Sequence, residues 1–403
     1  MTAAAWRATL AATALMALVM GGRAAFGLFV SPLNGATGLG LAAISFGFAL
    51  AQLASGVVQP AIGTLAERHG AARVMALGAL VLAVSNAALL GAGSVWSVTG
   101  LLVLAAVAGS AVGSNAILMG EVGRRVPAEQ RGFAAGIVGA GGSAGQLVLG
   151  PATQWVIGVQ GWMVAMGALA ALSLAALPLA RMFARAPGAA AAAAASHAAA
   201  TPVRETLRDA RFWIISGAFG ICGFHVGFLA THMPGVIERC GLPPALAGTW
   251  LAVSGAANIA GSILIGVAMK RWASPPLLVA LYLARSLSIV LLLVLPTSST
   301  TMLVFGVAMG LSYMAVLPPT VHLLGHHFGV ERLGTLFGVV MVVHQLGGFG
   351  GAWLGGLAAA ATGTDTVLWT IDLSLAVVAA ALQWPMMRHA RPRSLVVAAG
   401  AAA

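Results

Sequence analysis

The chain has 403 residues, of which 60% are hydrophobic and only 7% are charged, and its mean hydropathy is +0.98. Roughly 25% of the residues of a soluble domain are charged, so this composition excludes a soluble globular protein. The formal net charge is +11, but the 20 lysines and arginines stand singly between apolar runs and form no continuous basic strip. A nucleic-acid-binding protein is therefore excluded as well.

Apolar runs long enough to cross a bilayer follow one another along almost the whole chain. A transmembrane helix needs about 20 predominantly apolar residues. Hydropathy, turn residues and charges place the spans near residues 7–33, 40–62, 72–91, 97–120, 132–156, 161–181, 211–236, 245–269, 275–296, 301–324, 334–360 and 366–387. The sequence predicts an all-α polytopic membrane protein with twelve transmembrane helices.

The basic residues are distributed unequally between the two sides of the predicted membrane. Arg239 is the only one in a link on the side opposite the N-terminus, and Arg23 and Arg285 lie within spans. All the others lie in links and tails on the side of the N-terminus. Because lysine and arginine accumulate in cytoplasmic loops, we expect a multi-pass protein of the inner membrane with both termini in the cytoplasm.

The longest link divides the predicted spans into two sets of six. We predict an N-terminal six-helix bundle over residues 1–181, a cytoplasmic linker over 182–210, a C-terminal six-helix bundle over 211–390 and a cytoplasmic tail over 391–403. The linker contains a basic, alanine-rich tract of low complexity, which has nothing to pack against. No site is expected there.

An internal repeat supports this division. The segment Gly63–Arg68 after the second span corresponds to Gly266–Arg271 after the eighth, and Arg23 in the first span corresponds to His225 in the seventh. Two pseudo-symmetric bundles are the economical explanation. Parallel repeats of this kind place a substrate site near the middle of the membrane, between the two bundles.

The link after the second span carries a specific motif. The segment Gly63–Arg73, GTLAERHGAAR, resembles the loop motif of the major facilitator superfamily. The segments Arg211–Trp213, Thr231–Pro234 and His344–Gly347 are similar to bacterial relatives of monocarboxylate porters and of oxalate/formate antiporters. The resemblance implies the major facilitator fold, in which helices one, four, seven and ten line a central cavity.

Arg23 lies in the middle of the first predicted span. An ionised side chain at this depth costs about 2.5 to 3.5 kcal/mol on insertion scales, so it should face a polar cavity or a partner. The resemblance places Arg23 where its guanidinium can bind a substrate carboxylate through charge-assisted, bidentate hydrogen bonds. A structural ion pair and a snorkelling side chain are the alternative interpretations.

Three histidines are candidates for proton coupling, because histidine changes its charge near neutral pH. His225 corresponds in the repeat to Arg23, His232 lies further along the same span beside Pro234, and His344 lies in the eleventh span. No acidic residue is central in predicted helices one, four, seven or ten. A histidine or the substrate anion must therefore carry the proton, although each histidine can also be a packing residue.

Arg285 lies in the middle of the ninth predicted span, which the resemblance places at the periphery of its bundle. Asp372 in the twelfth span is the other formal charge well inside a nearby helix. Two interpretations stay open: Arg285 pairs with Asp372, or Arg285 binds the substrate.

Departures from the related families narrow the substrate class. Animal monocarboxylate porters carry a lysine in helix one, near Leu28 here, and an Asp/Arg pair in helix eight, where this chain has Asn258 and its neighbours. Oxalate/formate antiporters use a cation in helix eleven, where this chain has His344 and Gln345. The pattern favours a monoanion held by Arg23, with Asn258, His344 and Gln345 as hydrogen-bonding partners.

The resemblance also implies a cytoplasmic gate network, formed by Glu67, Arg68, Lys270 and Arg271. Glu121 closes the fourth predicted span, and we expect it to pair with Arg124 or Arg125.

The chain lacks a phosphate-binding loop, a Cys/His metal spacing and a Ser/His/Asp pattern. We therefore expect no enzyme activity, cofactor or metal, and we expect a monomer whose partners are a small organic anion, protons and the lipid bilayer. The prediction is a secondary active transporter that moves a small monocarboxylate anion by alternating access, with protons or by exchange. One alternative is an efflux pump for amphipathic compounds, favoured by the 16 methionines; the other is a non-transporting sensor of the same fold.

Overall fold

The computed structural model describes residues 1–184, 203–329 and 333–387, and within these ranges the chain forms helices and no strands. Eleven helices in this part of the chain are long and apolar enough to cross a membrane, and a bent pair, counted as one span, makes twelve. The twelve are span 1, Ala3–Thr37; span 2, Leu41–Val57 with Gln59–His69; span 3, Ala71–Gly91; span 4, Val95–Gly123; span 5, Arg131–Gln160; span 6, Trp162–Arg181; span 7, Ala210–Arg239; span 8, Ala245–Ala268; span 9, Ser274–Val294; span 10, Ser299–Phe328; span 11, Leu333–Thr362; and span 12, Thr366–Met387. The predicted all-α fold class is confirmed.

The predicted domain boundaries stay predictions. The tail over residues 391–403 and most of the linker over 182–210 lie outside the described residues. At its C-terminal end the linker includes a short helix, Val203–Thr206, that precedes span 7.

Three spans break or tighten where a proline interrupts the helix. Span 2 turns by 48° just before Pro60. Span 1 winds into a 3₁₀ turn at Phe26–Phe29 ahead of Pro32, and span 10 does the same at Met314–Val316 ahead of Pro318. Proline lacks an N–H group and its ring clashes with the carbonyl four residues earlier, so the preceding turn cannot keep regular α-helical hydrogen bonds. The sequence analysis treated these spans as continuous.

The same packing pattern occurs twice along the chain. Spans 1 and 5 make the most extensive contact in the first half, and spans 7 and 11 make the corresponding contact in the second. The pairs 2 with 4 and 3 with 6 are likewise matched by 8 with 10 and 9 with 12. Between the halves, span 2 packs on span 11 and span 5 packs on span 8, which are equivalent pairings in the two repeats.

Glycines bring the principal helix pairs into backbone contact. A Cβ atom added at Gly145 of span 5 would collide with the carbonyl oxygen of Ala17 in span 1. In the equivalent pair, a Cβ atom at Gly223 of span 7 would collide with the carbonyl oxygen of His344 in span 11. Lipid chains are as apolar as the helices, so close van der Waals contact is what holds such helices together.

The two ends of the molecule differ in how the halves meet. We call the face with the start of span 1 and the links after spans 2, 4 and 6 the terminal face, and the other the opposite face. Toward the opposite face, one apolar core joins both halves and includes Phe29 and Leu33 of span 1 with Phe228, Met233 and Val236 of span 7. Toward the terminal face, each half has a separate apolar core. The halves are therefore joined at the opposite face and parted at the terminal face.

Glycines near the terminal face on spans 5 and 11 have open surroundings. A Cβ atom at Gly132, Gly136 or Gly139 of span 5, or at Gly334 or Gly338 of span 11, would meet nothing within 4 Å. Further along span 5, the fit is tight instead, since a Cβ atom at the glycines that face spans 1 and 8 would clash. The same helix thus changes from open surroundings to close packing along its length.

We predict that Gly145→Ala destabilises the protein, because the new methyl group forces span 5 away from span 1. Overpacking of this kind costs about 1 to 3 kcal/mol. The midpoint of thermal unfolding of the purified protein in detergent should fall. Gly139→Ala on the same helix is the matched control, because its methyl group enters open space and should leave the midpoint unchanged or slightly raised. Equal midpoints for the two variants would contradict this account of the packing.

Candidate functional site

A cavity of about 110 Å³ lies inside the first half and reaches the boundary with the second. Spans 1, 2, 3, 4 and 6 supply its walls, and span 7 closes one side. Most of the lining is apolar, with leucines and the rings of Phe26 and Phe48. Three long polar side chains also line it: Arg23 of span 1, Gln52 of span 2 and Asn86 of span 3. An apolar pocket with a few placed polar groups is typical of a small-molecule site.

Arg23 lies in the cavity wall, in the middle of span 1, and is partly buried. One terminal nitrogen of its guanidinium donates a hydrogen bond to Oε1 of Gln52. Among the described residues no carboxylate lies within ion-pair distance of Arg23, and the rest of the guanidinium makes no other hydrogen bond. Arg23 is thus a cation in the middle of a span, and the described part of the protein supplies no countercharge for it.

A chain of amides connects Arg23 with the second half. The Gln52 amide nitrogen donates to Oε1 of Gln345 in span 11, at 2.9 Å. The Gln345 amide nitrogen lies 3.2 Å from the Gln52 carbonyl oxygen and 3.3 Å from the Ser55 hydroxyl oxygen. His344 Nδ1 lies 3.4 Å from Gln345 Oε1. The structure therefore brings Gln345 and His344 into one network with Arg23. Their predicted hydrogen bonds to a substrate stay predictions.

Gln52 is the link in this network that the sequence analysis missed. It is a long polar side chain in the middle of an apolar run, Ala49–Leu53, which is itself a signal of a polar cavity or an interhelical bond. Among the neutral amides, Asn258 and Gln345 were predicted to bind substrate, and Gln52 was not.

His225 and Asp372 form a buried pair inside the second half. Both side chains are fully buried, and His225 Nε2 lies 3.5 Å from Asp372 Oδ1. His225 Nδ1 lies 2.7 Å from the carbonyl oxygen of Ile221 and must donate to it, because a carbonyl oxygen only accepts. A neutral His225 then presents a lone pair at Nε2 to the carboxylate. A hydrogen bond between the two side chains therefore requires one added proton.

The sequence analysis left open whether Arg285 pairs with Asp372 or binds substrate, and the structure shows a different set of contacts. Arg285 is fully buried, and its Nη2 donates to the carbonyl oxygens of Ser312 at 2.6 Å and Tyr313 at 3.0 Å. These carbonyls lie where span 10 tightens, so the guanidinium compensates for the broken helical pattern. The Arg285–Asp372 pair is not formed within ion-pair distance in the described residues, because Asp372 faces His225.

Arg285 is also outside the cavity that Arg23 lines. Its guanidinium carbon lies 5.5 Å from the centre of the Tyr282 ring, and its charge is close enough to act on Asp372 and on Cys222. One guanidinium nitrogen, Nη1, has no partner among the described residues. Arg285 thus belongs to the buried polar cluster of the second half.

Asn258 has its amide engaged in helix contacts. Its Oδ1 accepts from the Met314 backbone N–H at 2.9 Å, and its Nδ2 donates to the Ser143 hydroxyl at 3.2 Å. It joins span 8 to the tight turn of span 10 and to span 5 of the other half. The predicted hydrogen bond from Asn258 to a substrate beside Arg23 has no geometric support, because Asn258 does not line that cavity.

His232 lies nearer the opposite face. Its Nε2 lies 2.6 Å from the Ala352 carbonyl oxygen of span 11, and its ring packs against Phe228. It lines a second cavity of about 160 Å³, whose edge is formed by Arg239, and Arg239 pairs with Asp365 at 2.6 Å. His232 is therefore separated from the His225–Asp372 pair and engaged between two helices.

The expected gate residues lie on the terminal face. Their side chains are exposed and make no ion pair among the described residues; they are Glu67, Arg68, Lys270 and Arg271. The expected pairing of Glu121 is confirmed, because its buried carboxylate contacts both Arg124 and Arg125. In the state described here, with the terminal face parted, the charge contacts at the end of span 4 are formed and those of the expected gate are not.

Known proteins share both the sequence pattern and the fold. The sequence matches the Major Facilitator Superfamily over residues 12–352 and 240–401. It is 25% identical over 355 residues to the uncharacterized MFS-type transporter YcxA of Bacillus subtilis (strain 168), a match that covers 83% of each chain.

Solved structures with this fold include a bacterial homologue of the human lysosomal transporter Spinster in an inward-facing, occupied conformation, with a TM-score of 0.75 and 15% identity. That match covers 94% of this chain and 96% of the homologue. A D-xylose–proton symporter has a TM-score of 0.74 and 17% identity, over 94% of this chain and 97% of the symporter. At these identities the likeness shows the fold alone. With the sequence match over most of its length, the chain belongs to the major facilitator superfamily of membrane transporters.

Proposed function

We propose that this protein is a secondary transporter that moves a small organic monocarboxylate anion across the membrane by alternating access. The observation that carries this proposal is Arg23, a cation in the middle of span 1 that lines a cavity and has no carboxylate partner among the described residues. A bound carboxylate supplies the missing countercharge and offsets the cost of holding a guanidinium inside the membrane.

The geometry of Arg23 suits a carboxylate. Gln52 takes only one of the two hydrogens on Nη2. The second hydrogen of Nη2, together with one on a neighbouring nitrogen, can still form two parallel N–H bonds to a carboxylate. Gln52 is fixed by its hydrogen bond to Gln345, and Gln52 in turn bonds the Arg23 guanidinium. The arginine is therefore already ordered, which reduces the rotamer freedom lost on binding. The hydrogen bond to Gln345 also connects the second half to a site that is lined mostly by the first half.

The size of the cavity favours a small substrate. A volume of about 110 Å³ is small beside the roughly 300 to 1,000 Å³ of pockets that bind drug-sized ligands. A short monocarboxylate fits this space, whereas a large amphipathic compound needs a wider cavity. We therefore favour anion transport over the efflux of amphipathic compounds.

The His225–Asp372 pair supports proton coupling. The two side chains need one added proton to form a hydrogen bond, and both are out of contact with water in this state. The charged group that acts on both of them is Arg285 of span 9. With Arg285 nearby as a fixed positive charge, loss of the proton leaves the cluster electrically balanced, and uptake of the proton leaves it positively charged.

A positive cluster in the second half complements a bound anion in the first, so proton and anion favour each other's binding. This reciprocity is what a proton–anion symporter requires. A proton-linked transporter of this fold, the D-xylose–proton symporter, is among the similar structures.

The terminal face is proposed to face the cytoplasm. Described basic residues of this face, such as Arg73, Arg124 and Arg271, support this orientation through the positive-inside rule. The parted state of the structure is then open to the cytoplasm, in an inner membrane with both chain ends inside.

Removal of the Arg23 guanidinium is expected to abolish anion binding. In proteoliposomes, Arg23→Ala should lower the rate of uptake of labelled lactate at subsaturating concentration roughly 10- to 100-fold, the effect of losing a charge-assisted hydrogen bond in a buried site. Arg23→Lys should retain part of the activity, because an ammonium keeps the charge without the planar fork. Arg7→Ala, at an exposed arginine of the terminal face, is the control and should transport normally. Retained uptake in Arg23→Ala, or transport of amphipathic dyes without any small anion, would move the assignment to an efflux pump.

Proton coupling is tested separately from anion binding. Asp372→Asn removes the proton acceptor, so accumulation of lactate driven by an inside-alkaline gradient should be lost. Exchange of internal for external lactate should persist, because exchange needs no net proton movement. Asp365→Asn, which changes a carboxylate in the link before span 12, is the control and should keep gradient-driven accumulation. Loss of exchange together with accumulation in Asp372→Asn would show that the residue is structural.

The orientation is tested with the cysteines already present. Cys240 is exposed at the opposite face and Cys222 is buried. A membrane-impermeant maleimide added to intact cells is therefore expected to label the wild-type protein and to leave Cys240→Ser unlabelled. Labelling that requires disrupted cells would reverse the proposed orientation.

A further inference from the structure

Asn86 of span 3 is a buried residue that lines the same cavity as Arg23, and its Oδ1 has no hydrogen-bond partner among the described residues. Its side chain is 2% exposed, and its Oδ1 accepts no hydrogen bond. Burying an amide without partners costs about 1 to 3 kcal/mol judged from protein mutations. An unpaired amide oxygen at a cavity wall is available to accept a hydrogen bond from a bound molecule.

The two serines in the cavity wall differ from Asn86. The Ser110 hydroxyl donates to the carbonyl oxygen of Ser55 at 3.0 Å, and the Ser173 hydroxyl donates to that of Leu169 at 2.8 Å. These hydroxyls are satisfied by backbone carbonyls of the helices. Asn86 and the free nitrogens of Arg23 are the long polar groups of the lining that still offer hydrogen bonds.

The surroundings of Asn86 define what it can bind. The wall between the polar groups is apolar and includes Leu82 and Leu102. The lone pairs of Oδ1 require a donor, and a hydroxyl group provides one. A second cation is disfavoured in the same small cavity, because Arg23 already carries a positive charge there. The matching ligand therefore has a carboxylate at one end, a short apolar frame and a neutral donor.

We propose that Asn86 is a specificity-determining residue, which accepts a hydrogen bond from a hydroxyl group of the substrate while Arg23 binds its carboxylate. The substrate class is then the short hydroxy-monocarboxylates, and the corresponding acids without the hydroxyl are discriminated against. This inference rests on the proposed function, since it takes the Arg23 cavity as the anion site.

Selectivity of this kind has a known physical basis. A site built to bond a hydroxyl rejects the analogue that lacks it, because the buried polar group of the site is then left unpaired. Water cannot easily take the place of the hydroxyl when the ligand fills a cavity of about 110 Å³. The discrimination comes from Asn86, and the affinity common to all anions comes from Arg23.

The experiment measures competition with labelled lactate uptake in proteoliposomes. In the wild type, propionate should compete at least about tenfold more weakly than unlabelled lactate, the effect of losing one hydrogen bond in a buried site. 2-Methoxypropionate, which keeps the oxygen but has no O–H group, should also compete at least about tenfold more weakly than lactate. These two comparisons use the wild-type protein and do not depend on any variant folding.

In the variant Asn86→Leu, lactate and propionate should compete with labelled lactate about equally well. Competition by lactate should become weaker, and competition by propionate should stay unchanged or become stronger. Gln383→Leu is the matched control, because Gln383 is another buried amide with an unpartnered Oε1, on span 12 and outside the cavity. It should keep the wild-type ratio.

The possible outcomes separate the two proposals. Equal competition by lactate, propionate and 2-methoxypropionate in the wild type overturns the role of Asn86 and leaves anion transport intact. An unchanged ratio in a folded Asn86→Leu protein overturns it as well. Transport of none of these acids, even by exchange, overturns the proposed function itself.

Discussion

A charge inside the membrane must be compensated, and the two arginines within the spans are compensated in different ways. Arg285 is fully buried and donates to the carbonyl oxygens of Ser312 and Tyr313, which the tight turn of span 10 leaves exposed. Arg23 has a neutral amide, Gln52, and a cavity. One arginine therefore stabilises a helix break, and the other keeps hydrogen-bonding capacity that a ligand can use. The amide chain that reaches Gln345 in the second half starts at Arg23, the arginine that keeps this capacity.

Much of the architecture could be predicted because it depends on local properties of the sequence. Length and hydropathy determine where helices cross a membrane, and the predicted spans correspond to those of the structure. The bend of span 2 before Pro60 and the 3₁₀ turn of span 1 ahead of Pro32 also have a local cause, the missing N–H group of proline. The partner of Asp372 could not be predicted from local sequence. The choice between Arg285 and His225 depends on how spans 7, 9 and 12 are rotated about their axes.

The candidate site was predictable only in part, for the same reason. Arg23 is conspicuous as a charge in an apolar run, and Gln345 was expected beside it from a resemblance. Gln52 and Asn86 are neutral, and the sequence contains other buried amides, such as Gln383, that do not line the cavity. Gln52 and Asn86 differ from these other amides because a cavity lies beside them. A cavity arises from the packing of helices that are distant in the chain. Asn258 shows the converse case, because helix contacts engage both the oxygen and the nitrogen of its amide.

The apolar core shared by the two halves has a thermodynamic consequence. Side chains such as Phe29 and Met233 are buried between spans 1 and 7 at the opposite face, whereas the terminal ends of the halves have separate cores. A conformation open at the opposite face must separate these side chains and bring them into contact with water, which costs free energy in proportion to the area exposed. The two conformations are then equally populated only if closure of the terminal ends yields a similar gain. The relative areas of these two interfaces therefore set the resting population, and a bound ligand can shift it only by as much as its affinity differs between the two conformations.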